Sequence, residues 1–508
     1  MKSREELRIE AAELLESLEG RELSPKERLA IPQQQMPSQD PGKRIQNMQE
    51  VATGYTEEQC RVEAMRCLQC KNAPCVKGCP VKIDIRGFIK AAADGDFEKS
   101  IAIIKKSSLL PAICGRVCPQ ENQCQATCTV GRSLKDAGKA VSIGRIERFV
   151  ADYDRKKGNA ANPEIANPTG KKVAIIGSGP AGITAAADIR RAGHEVEIFE
   201  AFHKTGGVMV YGIPEFRLPK AIVEEEVDAL RKMGVTVHTN FLVGRTRQLK
   251  DILDTDGFDA AFIGTGAGLP RFMGIEGENL VGVFSANEYL TRSNLMKAYD
   301  MEHAATPIFR SNRVAVLGGG NVAMDAARTA LRLGAEEVHL VYRRTEVEMP
   351  ARAEEVEHAK EEGVIFHLLR SPSKILGDEG ERVRGIEVLR YELGEPDDSG
   401  RRRPIPIENS EYEIDLDTVI VAIGNDSNPL LTSSTPQIET NKRGNIVTDE
   451  VGKTSMDRVY AGGDIVLGAA TVILAMGEGR KAAYSINTLL DGKNPAAGIM
   501  PGTPQEET

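Results

Sequence analysis

The chain has 508 residues, too many for one ordinary core and by length suited to about three domains. Its formal net charge of -9 disfavours a general nucleic-acid or anionic-membrane partner. No apolar run approaches the roughly 18 residues that span a bilayer, and the charged start MKSREELRIEAAELLESLEG lacks a secretory core, so a cytoplasmic protein is expected.

Leu7, Ala11, Leu14, Leu15 and Leu18 fall on one face of an amphipathic helix. Pro25, Pro32, Pro37 and Pro41 then punctuate residues 21–50, which read as an extended arm, so residues 1–50 form an N-terminal arm. All nine cysteines lie between Cys60 and Cys128. Without an export signal, metal or redox chemistry is a better reading than disulfide pairing. The first block is Cys67-x2-Cys70-x4-Cys75-x3-Cys79-Pro80, and the second is Cys114-x3-Cys118-Pro119-x4-Cys124-x3-Cys128. Short spacings with Pro directly after a cysteine match ferredoxin-type runs, which share cysteines between two iron-sulfur clusters. Two tetrahedral zinc sites are the competing reading. Cys60, seven residues before the first block, reads as a buried small hydrophobe.

RCLQCKNAPCVKGCPVKIDIRGFI, LPAICGRVCPQENQCQATC and AVSIGRIERF resemble the iron-sulfur domain of glutamate synthase small subunits, dihydropyrimidine dehydrogenase and the large subunit of NADH-dependent ferredoxin:NADP oxidoreductase. The resemblance implies one 4Fe-4S cluster on Cys67, Cys70, Cys75 and Cys128, and a second on Cys79, Cys118 and Cys124. Glu147 stands where relatives supply the fourth ligand of the second cluster, and Cys114 matches a non-ligand position. A solvated helix face is the alternative reading of Glu147. Residues 51–169 are thus expected to be a helical two-cluster domain, ending in a polar linker at residues 151–170.

KKVAIIGSGPAGITAAADIRRAGHEVEIFE, residues 171–200, runs strand, turn, helix, strand and acid. Gly177, Gly179 and Gly182 fit a dinucleotide fingerprint, with the helix N-terminus facing the phosphates and Glu200 spaced to bond a ribose hydroxyl. GGVMVYGIPEFRLPK follows, a shaped loop containing Gly207 and Gly212. It resembles the segment beneath the flavin ring in the ferredoxin:NADP oxidoreductase group. Residues 313–344 hold a second fingerprint, with Gly318, Gly320, Asn321 and Ala323 after a strand, but the next strand ends on Arg343 and Arg344. Arginines there suit a 2′-phosphate through charge-assisted bonds, so this half is expected to bind NADP(H), with Arg352 as a second-line assistant, and the first half FAD. The charged residues 395–404 read as a solvated loop. RVYAGGDIVLGAATVILAMGEGRKAA is similar to the C-terminal flavin motif of two-dinucleotide flavoproteins, which implies Asp464 on the ribityl or pyrophosphate part and a helix from about Ala470 and Thr471 aimed at the flavin. The seven scattered histidines read as packing or surface residues.

The expected fold is therefore α/β, with two nested Rossmann-like dinucleotide-binding domains behind an α-helical iron-sulfur domain. The expected divisions are 170–290 (FAD, first part), 291–424 (NADP(H)) and 425–495 (FAD, second part). No cysteine follows Cys128, which argues against a thioredoxin-reductase-like activity. The expected cofactors are FAD, NADP(H) and two 4Fe-4S clusters, and the expected partners are one or more electron-transfer subunits. The leading expectation is the NADP(H)-handling subunit of a ferredoxin:NADP oxidoreductase, with electron bifurcation left open. The small subunit of NADPH-dependent glutamate synthase stands second, and an electron-transfer adaptor that does not turn over NADPH stands third.

Overall fold

In this computed structural model, residues 2–158, 164–300, 302–304, 306, 308, 310–397 and 400–492 are described. The first helix, Arg4–Leu18, starts at a reciprocal cap: Ser3 Oγ accepts from Glu6 N and the Glu6 carboxylate accepts from Ser3 N. Its Leu7, Ala11, Leu15 and Leu18 are buried, and it packs on helix Glu57–Met65, so it belongs to the cysteine-bearing unit. The arm expected to be extended carries two short helices, Pro25–Ala30 and Pro41–Arg44. Each places Pro just inside a Ser or Asp cap, where the missing N–H costs nothing. Arg44 then inserts, fully buried, against Glu361 at 2.8 Å and Glu362 at 2.7 Å, far along the chain.

Two five-stranded parallel sheets follow the same plan. The first runs in the order Val459–Ala461, Ala260–Ile263, Lys172–Ile176, Glu195–Phe199, Thr236–His238. The second runs Val283–Ser285, Thr418–Val421, Arg313–Leu317, Glu337–Tyr342, Ile365–Leu368. Each fingerprint strand is central and covered on both faces, which is why both read as unbroken apolar runs. Strand Val459–Ala461 completes the first sheet after the second has been built, the nesting expected from the two flavin-type motifs.

The expected boundary at 290/291 is displaced. Val283–Ser285 pairs with Thr418–Val421, so that division falls inside helix Ala286–Asn294, which follows a strand of the second sheet. The 395–404 segment is likewise not simply a loop: Val383–Pro396 and Arg402–Pro406 form an antiparallel pair that continues the sheet of Arg370–Gly377 and Tyr412–Asp415, with 398–399 outside the described residues. Of the expected linker, residues up to Lys157 belong to helix Ile143–Lys157, closed by Gly158 at φ 67°, and 159–163 lie outside the described residues. Two histidines do pair: His339 Nδ1 lies 3.0 Å from His367 Nε2 across adjacent strands.

Candidate functional site

The cysteines sort into two groups. Cys67, Cys70, Cys75 and Cys128 line one pocket with Pro74, Ile89 and Val141. Burial pushes the thiols of Cys67 and Cys75 up, to about 11 and about 12, and the neighbouring cysteines add to this. Cys79, Cys118 and Cys124 are buried and interact electrostatically with one another and with Glu147. Helix Ile143–Lys157 delivers Glu147 by packing on helix Pro111–Val117, so closely that a Cβ on Gly115 would stand 2.7 Å from the backbone of Arg148. Glu147 is 6% exposed, so it is not a solvated helix face. Its Oε1 has no hydrogen-bond partner, and burial alone raises its carboxyl to about 8. A bound metal would satisfy that oxygen and displace the protons that burial retains. Three buried thiols beside an orphaned carboxylate are a donor set that fits an iron-sulfur cluster. Cys60 is fully buried, as expected.

In the first fingerprint, Gly177 has φ 98° and a Cβ there would also meet Gly264 O at 2.5 Å, and a Cβ on Gly182 would meet Gly177 O at 2.0 Å. A Cβ on Gly179 would instead meet nothing within 4 Å, an opening of the kind a phosphate group needs. Glu200 is buried, and its carboxylate accepts from Ser178 N at 3.0 Å, from Ser178 Oγ, and from Phe202 N at 2.8 Å. Ser178 Oγ in turn accepts from Gly206 N at 3.0 Å. Glu200 therefore clamps the glycine loop as well as ending the strand. Ser178 was not singled out by the glycine spacing, although it lies within it. Gly207, at φ 55°, lets its loop cross Gly179, where a Cβ would stand 2.9 Å from Gly179 Cα. Gly212 is explained by packing against Val208 and offers no direct opening.

In the second fingerprint a Cβ on Gly318 would meet Ala422 O at 2.3 Å, Ala323 is fully buried, and Gly320 faces open space with only Pro350 Cγ, at 3.9 Å. Asn321 begins helix Asn321–Arg332, and its Oδ1 accepts from Arg352 N at 2.9 Å. The two arginines diverge. Arg343 is exposed and has no protein partner among the described residues, whereas Arg344 is buried, paired with Asp397 at 2.6 Å and donating to Arg402 O at 2.7 Å. Arg344 thus anchors the antiparallel sheet. Arg352 also departs from expectation: it donates to Arg116 O at 2.6 Å, toward the cysteine loop.

At the C-terminal motif, Asp464 Oδ1 accepts from Ala470 N at 3.2 Å, and burial raises its carboxyl to about 6. Thr471 caps helix Val472–Leu490, its Oγ1 accepting from Leu474 N at 3.3 Å. This helix start is also where the first sheet meets the cysteine loops. Gln123 Nε2 lies 3.5 Å from Thr471 Oγ1, Cys114 Sγ lies 3.6 Å from Met476 Sδ, and a Cβ on Gly477 would stand 3.7 Å from Pro80 O. The two sheets are joined by a buried ion pair that spacing alone could not reveal: Arg217, from the GIPEFRLPK loop, meets Asp325 at 2.6 Å and Glu355 at 3.2 Å.

Two dinucleotide-type sheets, one nested in the other and both in contact with a cysteine-bearing helical unit, define an oxidoreductase of the two-nucleotide class. Residues 171–479 match the model of the pyridine nucleotide-disulphide oxidoreductases, and residues 44–159 match that of dihydropyrimidine dehydrogenase domain II, 4Fe-4S cluster. The chain belongs to the pyridine nucleotide-disulphide oxidoreductase family and carries an iron-sulfur domain at its N-terminal side. It is 41% identical over 442 residues to the NADP(+)-dependent formate dehydrogenase subunit beta of Moorella thermoacetica, covering 82% of this chain but only 60% of that relative. It is 36% identical over 463 residues to the glutamate synthase (NADPH) small chain of Halomonas elongata, covering 89% and 96% of the two chains. FprA from Mycobacterium tuberculosis shares the fold, with a TM-score of 0.54 at 20% identity over 64% of this chain and 85% of that one. No helix among the described residues is long and apolar enough to cross a membrane.

Proposed function

We propose that the chain is the NADP(H)-handling flavin and iron-sulfur subunit of a ferredoxin:NADP oxidoreductase complex, exchanging electrons between NADPH and a partner subunit. The observation that carries this reading is the contact of Gln123 with Thr471 and of Cys114 with Met476, where helix Val472–Leu490 abuts the cysteine-bearing unit. FAD bound there supplies the change from two-electron hydride chemistry to single-electron chemistry.

The residues of the chain provide the positions. Gly177, Gly179 and Gly182, with the Glu200 and Ser178 clamp, shape the pyrophosphate seat of FAD. Gly207 lets the neighbouring loop cross that seat, and Gly212 keeps its turn packed. Asp464 and the amides capped by Thr471 face the ribityl and ring end. Gly318, Gly320, Asn321 and Ala323 form the NADP(H) seat, with Arg343 rather than Arg344 free to meet a 2′-phosphate. Cys67, Cys70, Cys75 and Cys128 would hold one 4Fe-4S cluster, and Cys79, Cys118, Cys124 and Glu147 the other. Arg217 and Asp325 fix the two nucleotide seats relative to each other, and no general base is needed for hydride transfer between them.

The role of glutamate synthase small subunit is the second reading, favoured by the near-complete overlap with the small chain of Halomonas elongata. An adaptor that does not turn over NADPH is disfavoured by the open second fingerprint around Gly320. Anaerobic purification with native partners separates the readings. Flavin reduction by NADPH in the isolated chain excludes the adaptor. Ferredoxin reduction by the complex supports the leading proposal, and NADPH oxidation dependent on glutamine and 2-oxoglutarate supports the second. Purified protein holding zinc and no iron would sink all three.

A further inference from the structure

Cys114 stands outside the ligand set yet beside the residues that would hold the second cluster. It lies four residues before Cys118, the C-cap of helix Pro111–Val117, a spacing that puts their Cβ atoms about 5–6 Å apart on one face. Its thiol interacts electrostatically with Cys118, Glu147 and Cys79. Cys114 is 1% exposed and Glu147 6% exposed, and the unpartnered Glu147 Oε1 points independently to a missing ligand beside these thiols. Five buried donors, Cys79, Cys118, Cys124, Glu147 and Cys114, are therefore neighbours where a cluster would take about four protein ligands.

We propose that Cys114 is a reserve fourth ligand of the second cluster, able to exchange with Glu147. This rests on the two-cluster reading above. In the exchange an iron–oxygen bond to Glu147 breaks and an iron–sulfur bond to Cys114 forms. The Cys114 thiol proton passes to the released carboxylate, and no electron is gained or lost. Replacing a hard oxygen donor by thiolate changes the ligand field and hence the cluster's potential. Cys114 Sγ also lies 3.6 Å from Met476 Sδ, on the helix capped by Thr471, so the exchanging ligand sits at the contact with the flavin-side helix.

The test is iron content and low-temperature EPR of the anaerobically purified, dithionite-reduced full chain. Flavin content and far-UV circular dichroism serve as folding controls. Wild type, Glu147→Ala and Cys114→Ala are each expected to hold about eight irons, and the double variant about four. Glu147→Ala is expected to show altered g-values, as an all-thiolate set requires, and Glu147→Ala with Cys60→Ala to match Glu147→Ala alone. About four irons in Glu147→Ala, or in Cys114→Ala alone, would overturn the exchange, as would about eight in the double variant. A wild type with about four irons would overturn the two-cluster reading first, and the proposal with it.

Discussion

Gln123 Nε2 lies 3.5 Å from Thr471 Oγ1, so the cap of helix Val472–Leu490 touches the loop between Cys118 and Cys124. Thr471 also accepts from Leu474 N, the usual work of an N-cap. Thr471→Val keeps the volume and removes the acceptor, and is expected to cost about 1 kcal/mol in chemical unfolding, with Thr471→Ser close to wild type. Equal stability of the valine variant would show that the cap is dispensable.

Glu200 holds three donors of the first fingerprint region, Ser178 N, Ser178 Oγ and Phe202 N. Glu200→Ala leaves buried donors unpaired, each costing about 1–3 kcal/mol, and is expected to loosen the glycine loop. Purified protein should carry less FAD, with Glu200→Gln intermediate because its amide oxygen still accepts. Full flavin occupancy in the alanine variant would mean that the loop does not depend on the clamp.

Arg343 and Arg344 separate binding from structure. Arg343→Gln is expected to raise KM for NADPH about tenfold or more while leaving KM for NADH and the melting temperature near wild type, since a charge-assisted bond is worth about 1.5–3 kcal/mol. Arg344→Gln, which removes the pair with Asp397 and the bond to Arg402 O, should lower the melting temperature. Reversed effects would move the 2′-phosphate contact to Arg344.

These two arginines also show where sequence reading ended. The apolar strands and the glycine turns depend on local chemistry, so spacing located them, whereas the sorting of the cysteines into two groups came from the family resemblance. Whether Arg343 or Arg344 is free depends on a hairpin more than 50 residues away, with Asp397 folded back by antiparallel pairing. The Arg217 to Asp325 pair, and Arg352 turned toward Arg116 O, likewise join segments that only tertiary packing brings together. Ser178 was legible in principle, as a hydroxyl inside a glycine fingerprint followed by an acid at the next strand end.

Asp464 carries a pH signature. Burial raises its carboxyl from 3.8 to about 6, against a lowering by the Ala470 N–H. Between these values the native chain binds more protons than the unfolded chain, so this contribution to stability is complete below about pH 4 and is lost as pH rises through about 6. Asp464→Asn removes it. In flavin-free protein the asparagine variant should therefore gain stability over wild type between about pH 4.5 and about pH 7.5. A pH-independent difference between the two would rule out burial of this carboxylate as the cause.

Arg44 ties the N-terminal segment to the second sheet's domain, and its loss should be felt there. The guanidinium is fully buried, with Nε on Glu362 at 2.7 Å and the second terminal nitrogen on Glu361 at 2.8 Å and His358 O at 3.2 Å. Glu362 also pairs with Arg328 and Arg332, so removing Arg44 leaves it compensated, while Glu361 is a third exposed and can turn to water. The loss should therefore fall at or below the roughly 3–5 kcal/mol of breaking a buried pair outright. What it does remove is the anchor that holds helix Pro41–Arg44 to helix Ala353–Glu361. Arg44→Met keeps the apolar stem and deletes the charge. We expect limited proteolysis within residues 31–50 to become faster while iron and flavin contents stay unchanged, because no candidate ligand lies in that segment. Unchanged cleavage would mean that the contacts of Gln39 with the backbone of Gln49, Glu50 and Val51 hold the segment without the ion pair.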